Sequence, residues 1–368
     1  MSPAPDRPSG GEGVNRPRQA APVTLVVPDP FDTISGGYGY DRRILAGIGA
    51  LGQPVQVVEL AGRHPLPDAA AEAAARGALA ALPPDARIVI DGLGLPAFLP
   101  LIEELAARRA TALIHHPTAL ETGFGADVRE ALKARERALF PRMARLIATS
   151  ELTARRLPEE FGADPARIGV VEPGTDPAPR ARGSGGPGVA ILAVGSITPR
   201  KGHDVLMRAL ARLPDLDWTL TIVGGERDPV HADGLRALPH ELGIAQRVTF
   251  AGEADQAELD ALYDRADLFA LATHWEGYGM AAAEALARGL PVAVTAGGAI
   301  ADIVPVEAGI VSPPGDVVSL AKALRRVLFD HPLRAAMRDA AWEAGQRLPR
   351  WQDRAVAFLA ELDRAAAA

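Results

Sequence analysis

The sequence predicts an α/β protein made of two doubly wound, Rossmann-like domains. Short, continuously apolar runs alternate with helical patterns from Pro22 almost to the end, as expected for parallel strands that helices cover on both faces. One stretch without periodicity, 177–188, is dense in Pro, Gly and Ser and divides the alternation in two. A chain of 368 residues has room for two domains of ordinary size.

Six candidate strands lie in the first half, and they predict a domain over 21–176. They occupy 23–28, 55–60, 86–92, 111–116, 145–150 and 167–173. Right-handed crossovers through the intervening helices would order them into one sheet. The segment before them, 1–20, is rich in Pro, Gly and Arg without an apolar signal region, which predicts a disordered tail.

The second half, after the linker 177–188, predicts a similar domain over 189–348. Its candidate strands are 189–195, 218–224, 247–252, 267–273, 291–295 and 309–313. The end of the chain, 349–368, reads as an amphipathic helix that could pack back on the first domain. In sheets of this kind, ligands bind at the carboxyl ends of the strands.

Composition excludes several classes of protein. The formal net charge of −7 disfavours a nucleic-acid binder with a basic field. The chain has no cysteine, which excludes disulfides, thiolate metal sites and a Cys nucleophile, and suits a reducing compartment. No apolar run approaches the roughly 18 residues of a membrane span. We therefore expect a cytoplasmic protein, which could still touch the inner face of the cell membrane.

The strongest chemical signal is the cation pair Arg200 and Lys201, which lies between a strand end and the start of a helix. The helix macrodipole disfavours positive charge there by about 0.3–1 kcal/mol. An anion held between the two cations and the helix amides would reverse that sign. The alternative is a solvated basic pair in a loop. We favour the anion site because the pair follows the first strand of its domain.

A second signal is the segment 273–294, in which Glu276 follows a strand and Glu284 lies in an otherwise apolar helix. Gly277 and Gly279 would let a ligand approach the backbone closely. A buried carboxylate is costly unless it is hydrogen-bonded, and ribose or sugar hydroxyls are suitable donors. The alternative is a core carboxylate paired with Arg288, one turn away.

These motifs resemble family 4 of the glycosyltransferases, which are retaining enzymes of the GT-B fold. The matching segments follow the family's order and spacing, including a Glu-x₇-Glu motif at Glu276 and Glu284; they are 195–210, 222–228, 248–273, 276–294 and 309–324. The resemblance implies that Arg200 and Lys201 hold a donor diphosphate, Glu276 and the amides after it hold the donor sugar, and Glu284 holds the ribose. The remaining donor-binding candidates are Gly195, Phe250, Gly252, Glu253, Gly277, Tyr278, Gly279 and Met280, with the backbone of 250–253 near the base.

The first half resembles the family more loosely. The segment 34–43 follows the first strand and matches the family's Gly-rich loop beside the diphosphate and acceptor. Gly36 and Gly37 would start a helix that presents amides to phosphate, or would form a flexible turn only. Tyr38, next along, is a candidate on the acceptor side.

Two adjacent histidines end the fourth candidate strand. Family members commonly carry a His there that touches the donor sugar, and we assign this role to His115 rather than to His116, with little to separate them. A metal held by both is disfavoured, because neighbouring strand residues point to opposite faces. His116 and Glu121 remain acceptor-side candidates, although Glu121 could instead cap a helix.

A basic helical face is formed by Arg129, Lys133 and Arg137. Some relatives bind membranes through such a surface, and this would give a weak peripheral contact. The interspersed Glu130 and Glu136 favour an ordinary solvated face.

The predicted reaction is transfer of a hexose from a nucleotide sugar, with UDP as the expected nucleotide, to a small-molecule, lipid or glycan hydroxyl. We expect no metal and no cofactor, because no Asp-x-Asp motif follows a strand and Arg200 and Lys201 can neutralise the leaving phosphate. The catalytic candidates are His115, Arg200, Lys201 and Glu276. Two alternatives are a GT-B sugar-nucleotide epimerase and a non-catalytic nucleotide-sugar binding subunit.

Overall fold

Two parallel six-stranded sheets form the framework of the protein, as a computed structural model describes it for residues 21–121 and 123–367. The predicted tail at 1–20 lies outside the described residues. The first sheet has the order β2-β1-β3-β4-β5-β6. Its strands are β1 (Val23–Pro28), β2 (Val55–Leu60), β3 (Arg87–Asp91), β4 (Thr111–Ile114), β5 (Arg145–Ala148) and β6 (Ile168–Val170).

The second sheet repeats the arrangement with the order β12-β11-β10-β7-β8-β9. Its strands are β7 (Val189–Val194), β8 (Trp218–Val223), β9 (Val248–Gly252), β10 (Leu268–Leu271), β11 (Val292–Thr295) and β12 (Gly309–Ser312). All twelve predicted strands are present, and the predicted fold class is confirmed. Neighbouring strands pair in parallel throughout both sheets.

Helices cover both faces of each sheet. Those of the first half are α1 (Gly36–Ala50), α2 (Ala69–Ala81), α3 (Ile102–Ala107), α4 (Ala126–Leu139) and α5 (Glu151–Phe161). Those of the second half are α6 (His203–Leu210), α7 (Pro229–Glu241), α8 (Gln256–Arg265), α9 (Met280–Ala287), α10 (Val317–Phe329), α11 (His331–Arg347) and α12 (Trp351–Ala367). Each sheet has an apolar core on either face.

The prediction that every strand is buried is wrong for β2 and β9, two of the four edge strands. Most residues of β2 are exposed, and so are Thr249 and the last two residues of β9. Each pairs on one side only, so one edge of its backbone has no neighbouring strand. An apolar run therefore does not distinguish an edge strand from a central one.

The linker 177–188 has no helix or strand of its own. After it and the second sheet, α12 returns to the first half of the chain and packs against α1 and β5. Glu361 of α12 pairs with Arg145 of β5, with 2.5 Å between Oε2 and NH2. The carboxyl ends of the two sheets contact each other: a Cβ on Gly277 would lie 2.6 Å from the carbonyl oxygen of His115. The ligand-binding edges of both sheets thus lie at one interface.

Candidate active site

The cation pair lies beside Glu276 at the carboxyl end of β7. Lys201 Nζ donates to Glu276 Oε1 at 2.5 Å. Arg200 NH1 donates to the carbonyl of Trp275 at 2.7 Å and lies 3.4 Å from the same Glu276 oxygen. Gly195 makes room for the lysine, since a Cβ there would meet Lys201 Cδ at 3.0 Å. We call Arg200, Lys201 and Glu276 the cationic cluster.

Local backbone geometry explains how the pair reaches this position. Residues 199–201 form one 3-10 turn, and Gly202 follows with a φ of 62° before α6 begins at His203. A Cβ at Gly202 would lie 2.0 Å from the carbonyl oxygen of Ala272. Only glycine fits this left-handed, crowded position, which holds the turn against the end of β10.

The cationic cluster is largely withdrawn from water. The side chains of Lys201 and Glu276 are 13% and 11% exposed, which does not fit the alternative of a solvated basic pair. Burial lowers the pKa of Lys201 although Glu276 opposes it. Burial acts to raise the pKa of Glu276, but Lys201 and Arg200 outweigh it and hold that pKa below its usual range. Two cations of the second half thus converge on one oxygen of Glu276, and Glu121 of the first half is a second carboxylate beside Arg200.

Glu284 lies on α9 and is partly buried. Its Oε2 accepts from the Tyr263 hydroxyl at 3.0 Å, and burial raises its pKa. Arg288 is not the side-chain partner that the alternative supposed. It donates to the backbone carbonyl of Glu284 at 3.2 Å, and its guanidinium pairs with Asp260.

The glycines between Glu276 and α9 bring this loop against the first half of the chain. Gly279 has a φ of 107°, and a Cβ there would be 2.7 Å from Ile300 Cγ1. Met280 is the nearest neighbour of Gly39 on α1, with its methyl carbon 4.0 Å from where a Cβ would stand. Tyr278 is buried. At both Gly277 and Gly279, neighbouring atoms thus leave no room for a Cβ.

The residues expected near the nucleotide base of the donor lie at the exposed end of β9. Phe250 packs its side chain on the core of the second half, while Gly252 has a φ of 72°. Glu253 pairs with Arg227 at 3.0 Å. Arg227 also donates to the carbonyl of Ile34, in the loop between β1 and α1, at 2.9 Å. Sequence reasoning placed Arg227 in the matching segment 222–228 but missed this bridge between the two halves.

His115 lies beside two carboxylates that sequence reasoning also missed. Its Nε2 is 3.0 Å from Asp41 Oδ1 and 3.5 Å from Asp91 Oδ2. Burial and Asp41 raise the pKa of Asp91 to about 7, although His115 opposes them. Burial acts to lower the pKa of His115, but the two carboxylates outweigh it and raise that pKa. We call Asp41, Asp91 and His115 the carboxylate cluster.

The carboxylate cluster is also where a metal ion could be held. One ligand atom from each of its three residues lies within 4.8 Å of the other two. Carboxylate and imidazole ligands suit several divalent ions. The expectation that catalysis needs no metal therefore stays a prediction, and this is the place to test it.

His116 and Glu121 connect to the cationic cluster. His116 Nε2 lies 3.0 Å from Glu121 Oε2, and Glu121 Oε1 lies 3.3 Å from Arg200 Nε. The preceding turn, 118–120, is held by the buried Glu136, whose carboxylate accepts from both Thr118 and Ala119. Burial raises the pKa of Glu136 to about 7.

The start of α1 lies next to the carboxylate cluster. Ser35 caps the helix, which begins at Gly36, and a Cβ on Gly37 would meet the His115 ring at 3.3 Å. Tyr38 donates its hydroxyl to the carbonyl of Pro28 at 2.9 Å. Its ring lines a cavity of about 380 Å³ at the carboxyl end of the first sheet, together with Asp29, Arg63, His64, Leu66, Leu93 and Phe124.

Two of the three residues of the predicted basic face on α4 contact α5. Lys133 pairs with Glu160 at 3.5 Å, and Arg137 donates to the carbonyl of the same residue at 2.8 Å. These contacts fit a structural face better than a membrane-binding one. No helix in the described part of the chain combines the length and the apolar character needed to cross a bilayer.

Two family models match consecutive parts of the chain. The model described as "Glycosyl transferase 4-like domain" matches residues 16–174. The model described as "Glycosyl transferases group 1" matches residues 179–343. Together they span both sheets and both clusters.

Curated relatives and solved structures agree with these models. A D-inositol 3-phosphate glycosyltransferase of Mycobacterium sp. (strain KMS) is 39% identical over 168 residues, which are 42% of this chain and 38% of that protein. The one of Thermomonospora curvata is 36% identical over 215 residues, 52% of this chain and 50% of that protein. The chain thus spans half or less of these relatives.

Solved structures of low sequence identity share the fold of the whole chain. Sucrose-phosphate synthase from Thermosynechococcus elongatus has a TM-score of 0.78 at 21% identity, covering 94% of this chain and all of that one. HepE from Anabaena, solved in complex with UDP and glucose, has a TM-score of 0.72 at 16% identity, covering 93% of this chain and 99% of that one. This likeness establishes the GT-B fold.

Proposed function

Because the chain belongs to the family 4 type of glycosyltransferases with the GT-B fold, we propose that it transfers a hexosyl group from a nucleotide sugar to a hydroxyl acceptor. The observation that carries the proposal is the cationic cluster. Two cations converge on one oxygen of Glu276 at the carboxyl end of β7, and the next residue, Gly277, contacts the backbone of His115 across the interface between the halves. UDP is the proposed nucleotide; HepE, a structural neighbour, has been solved with UDP-glucose.

The chemistry follows from the charge that develops. When the glycosidic bond breaks, negative charge grows on the outer phosphate of the leaving nucleotide. Arg200 and Lys201 would stabilise that charge in a site poor in water, where electrostatic interactions are strong. No step of this scheme requires a metal ion.

Family resemblance supports retention of the anomeric configuration. The acceptor would then attack on the face that the leaving group vacates, and the leaving phosphate could accept its proton. The cavity beside Tyr38 is the proposed acceptor site. The curated relatives align with too little of the chain to carry over their acceptor.

The test begins with a thermal-shift panel of nucleotide sugars, since a ligand at concentration [L] stabilises by RT ln(1 + [L]/Kd). We expect UDP-sugars to raise Tm more than GDP- or ADP-sugars. The best donor then goes into an acceptor screen, with NMR of the product to assign the anomeric configuration. An inverted product would refute retention, and no stabilisation by any nucleotide sugar would refute the transferase.

The same assay separates the two alternatives. An epimerase would convert the donor without any acceptor, and a non-catalytic subunit would bind donor without transfer or slow hydrolysis. The presence of Glu276 and Glu284 together with both cations argues against a decayed site.

A further inference from the structure

The carboxylate cluster contains a deeply buried acid, Asp41 of α1. Asp41 is 1% exposed, and its Oδ2 has no hydrogen-bond partner among the described residues. An ionised carboxylate in such a place costs free energy unless it is paired. Among the described residues, its side-chain hydrogen bond is the one that Oδ1 accepts from His115 Nε2 at 3.0 Å.

The imidazole of His115 is fixed on several sides. Gly37 lies against Cδ2, and the Tyr40 ring packs edge-on at 5.3 Å between centroids. Its backbone carbonyl accepts from the Thr149 hydroxyl at 3.2 Å. With Nε2 turned to Asp41, the remaining nitrogen, Nδ1, forms no hydrogen bond among the described residues, and the side chain is 23% exposed.

Asp91 completes the arrangement from the neighbouring strand. It is the last residue of β3, and its Oδ1 accepts from the Leu93 amide at 2.8 Å. That bond fixes the carboxylate with Oδ2 at 3.5 Å from His115 Nε2. Both carboxylates therefore approach the same ring nitrogen from the protein interior.

We propose that Asp41 and Asp91 are positioning residues that hold Nε2–H of His115 and so direct its Nδ1 edge to the donor sugar. The inference rests on the proposed function, because it takes the sugar to lie beside Gly277. Without the two carboxylates the sugar would still bind, but the His115 ring would be misoriented. A misplacement of about 1 Å can cost about 10²-fold in rate.

A double-mutant cycle tests whether Asp41 acts through His115. The assay is release of UDP from UDP-glucose with water as acceptor, using the full chain. We expect Asp41→Asn to lower kcat by about 10²-fold with KM changed less than about 3-fold, and Asp91→Asn to act in the same direction more weakly. In the H115A background, Asp41→Asn should cost less than about 3-fold. An equal loss in both backgrounds would overturn the proposal.

Glu361→Gln is the matched control, since Glu361 is a buried carboxylate on α12, where it pairs with Arg145 and Arg364. It should lower Tm and leave kcat unchanged. A divalent ion bound one to one in wild type and lost in Asp41→Asn, measured by elemental analysis, would replace positioning by metal binding and overturn the proposal.

A readout without turnover separates this proposal from the proposed function. In ¹⁵N-histidine-labelled protein, the His115 signal is assigned by its loss in His115→Ala. We expect a protonated Nε2 in wild type, and an unprotonated Nε2 would overturn the assignment. If wild type releases no UDP from UDP-glucose, that failure counts against the proposed function, and the NMR result alone decides the positioning role.

Discussion

The two sides of the interface have the same architecture and opposite charge. In the first half, His115 follows β4 with Asp41 and Asp91 around one nitrogen, giving two acids to one base. In the second half, two cations surround one oxygen of Glu276. Both clusters lie at carboxyl ends of strands and are largely buried.

The difference indicates how work is divided between the halves. A site with excess positive charge suits the diphosphate, whose charge rises during the reaction. A site with excess carboxylate repels phosphate and suits neutral hydroxyls, which can donate to it. We therefore expect the leaving diphosphate in the second half, the acceptor in the first, and the donor sugar between them, beside Gly277 and His115.

The largest expected effect comes from removing the cation nearest Glu276. Lys201→Ala should lower kcat by about 10²–10³-fold, and at least as much as it weakens donor binding. Steady-state kinetics with UDP-glucose measure both parameters. Lys322→Ala, an exposed lysine on α10, is the control and should have no effect. Weaker binding with unchanged kcat would mean that the charge acts in the ground state only.

The contact between the two halves beside the clusters can be tested at Gly277. The Cβ of Gly277→Ala would stand 2.6 Å from the carbonyl oxygen of His115, so the loop must retreat from the first half. We expect kcat/KM to fall by about 10²-fold. Gly234→Ala on α7, where a Cβ meets nothing within 4 Å, should keep full activity and gain about 0.5–1 kcal/mol of stability. Full activity of Gly277→Ala would show that the two sheets act at a greater separation.

The carboxylate that holds the turn beside His116 should make stability depend on pH. Burial raises the pKa of Glu136 to about 7, above the roughly 4.3 of an unfolded chain. A raised pKa means that the folded state binds the extra proton, so this contribution to stability is present at low pH and lost as pH rises through about 7.

Glu136→Gln should therefore flatten the change in Tm between pH 5 and pH 7.5 by about 2–4 °C, measured by calorimetry. The exposed Glu130→Gln on the same helix should leave the change as in wild type. An unaltered slope in Glu136→Gln would place the pKa of Glu136 outside this range.

Sequence alone could predict the framework because burial on both faces leaves a continuous apolar signal. It could also predict site residues that their position in a local pattern marks. These are Arg200 and Lys201, which precede a helix, and Glu276, which lies eight residues before Glu284. It did not find Asp41 and Asp91, which lie 50 residues apart and meet only because β3 and α1 share one edge of the sheet. Asp91, as the last residue of a buried strand, was the one local clue. Arg227 lies in a segment that matches the family, but nothing local predicted its partners, which are the carbonyl of Ile34 and Glu253 just after the edge strand β9.

The smallest expected effect is that of removing metal. If the cationic cluster alone neutralises the leaving diphosphate, the activation free energy of transfer does not depend on a metal ion. Excess EDTA should then change kcat by less than about 2-fold. The carboxylate cluster makes this a real test, since its geometry could accept a divalent cation. Complete loss of activity in EDTA that Mn²⁺ restores would mean that an ion in the first half neutralises part of the charge. Both halves would then contribute to neutralising the leaving group, and the division of work between an acidic and a basic side would no longer hold.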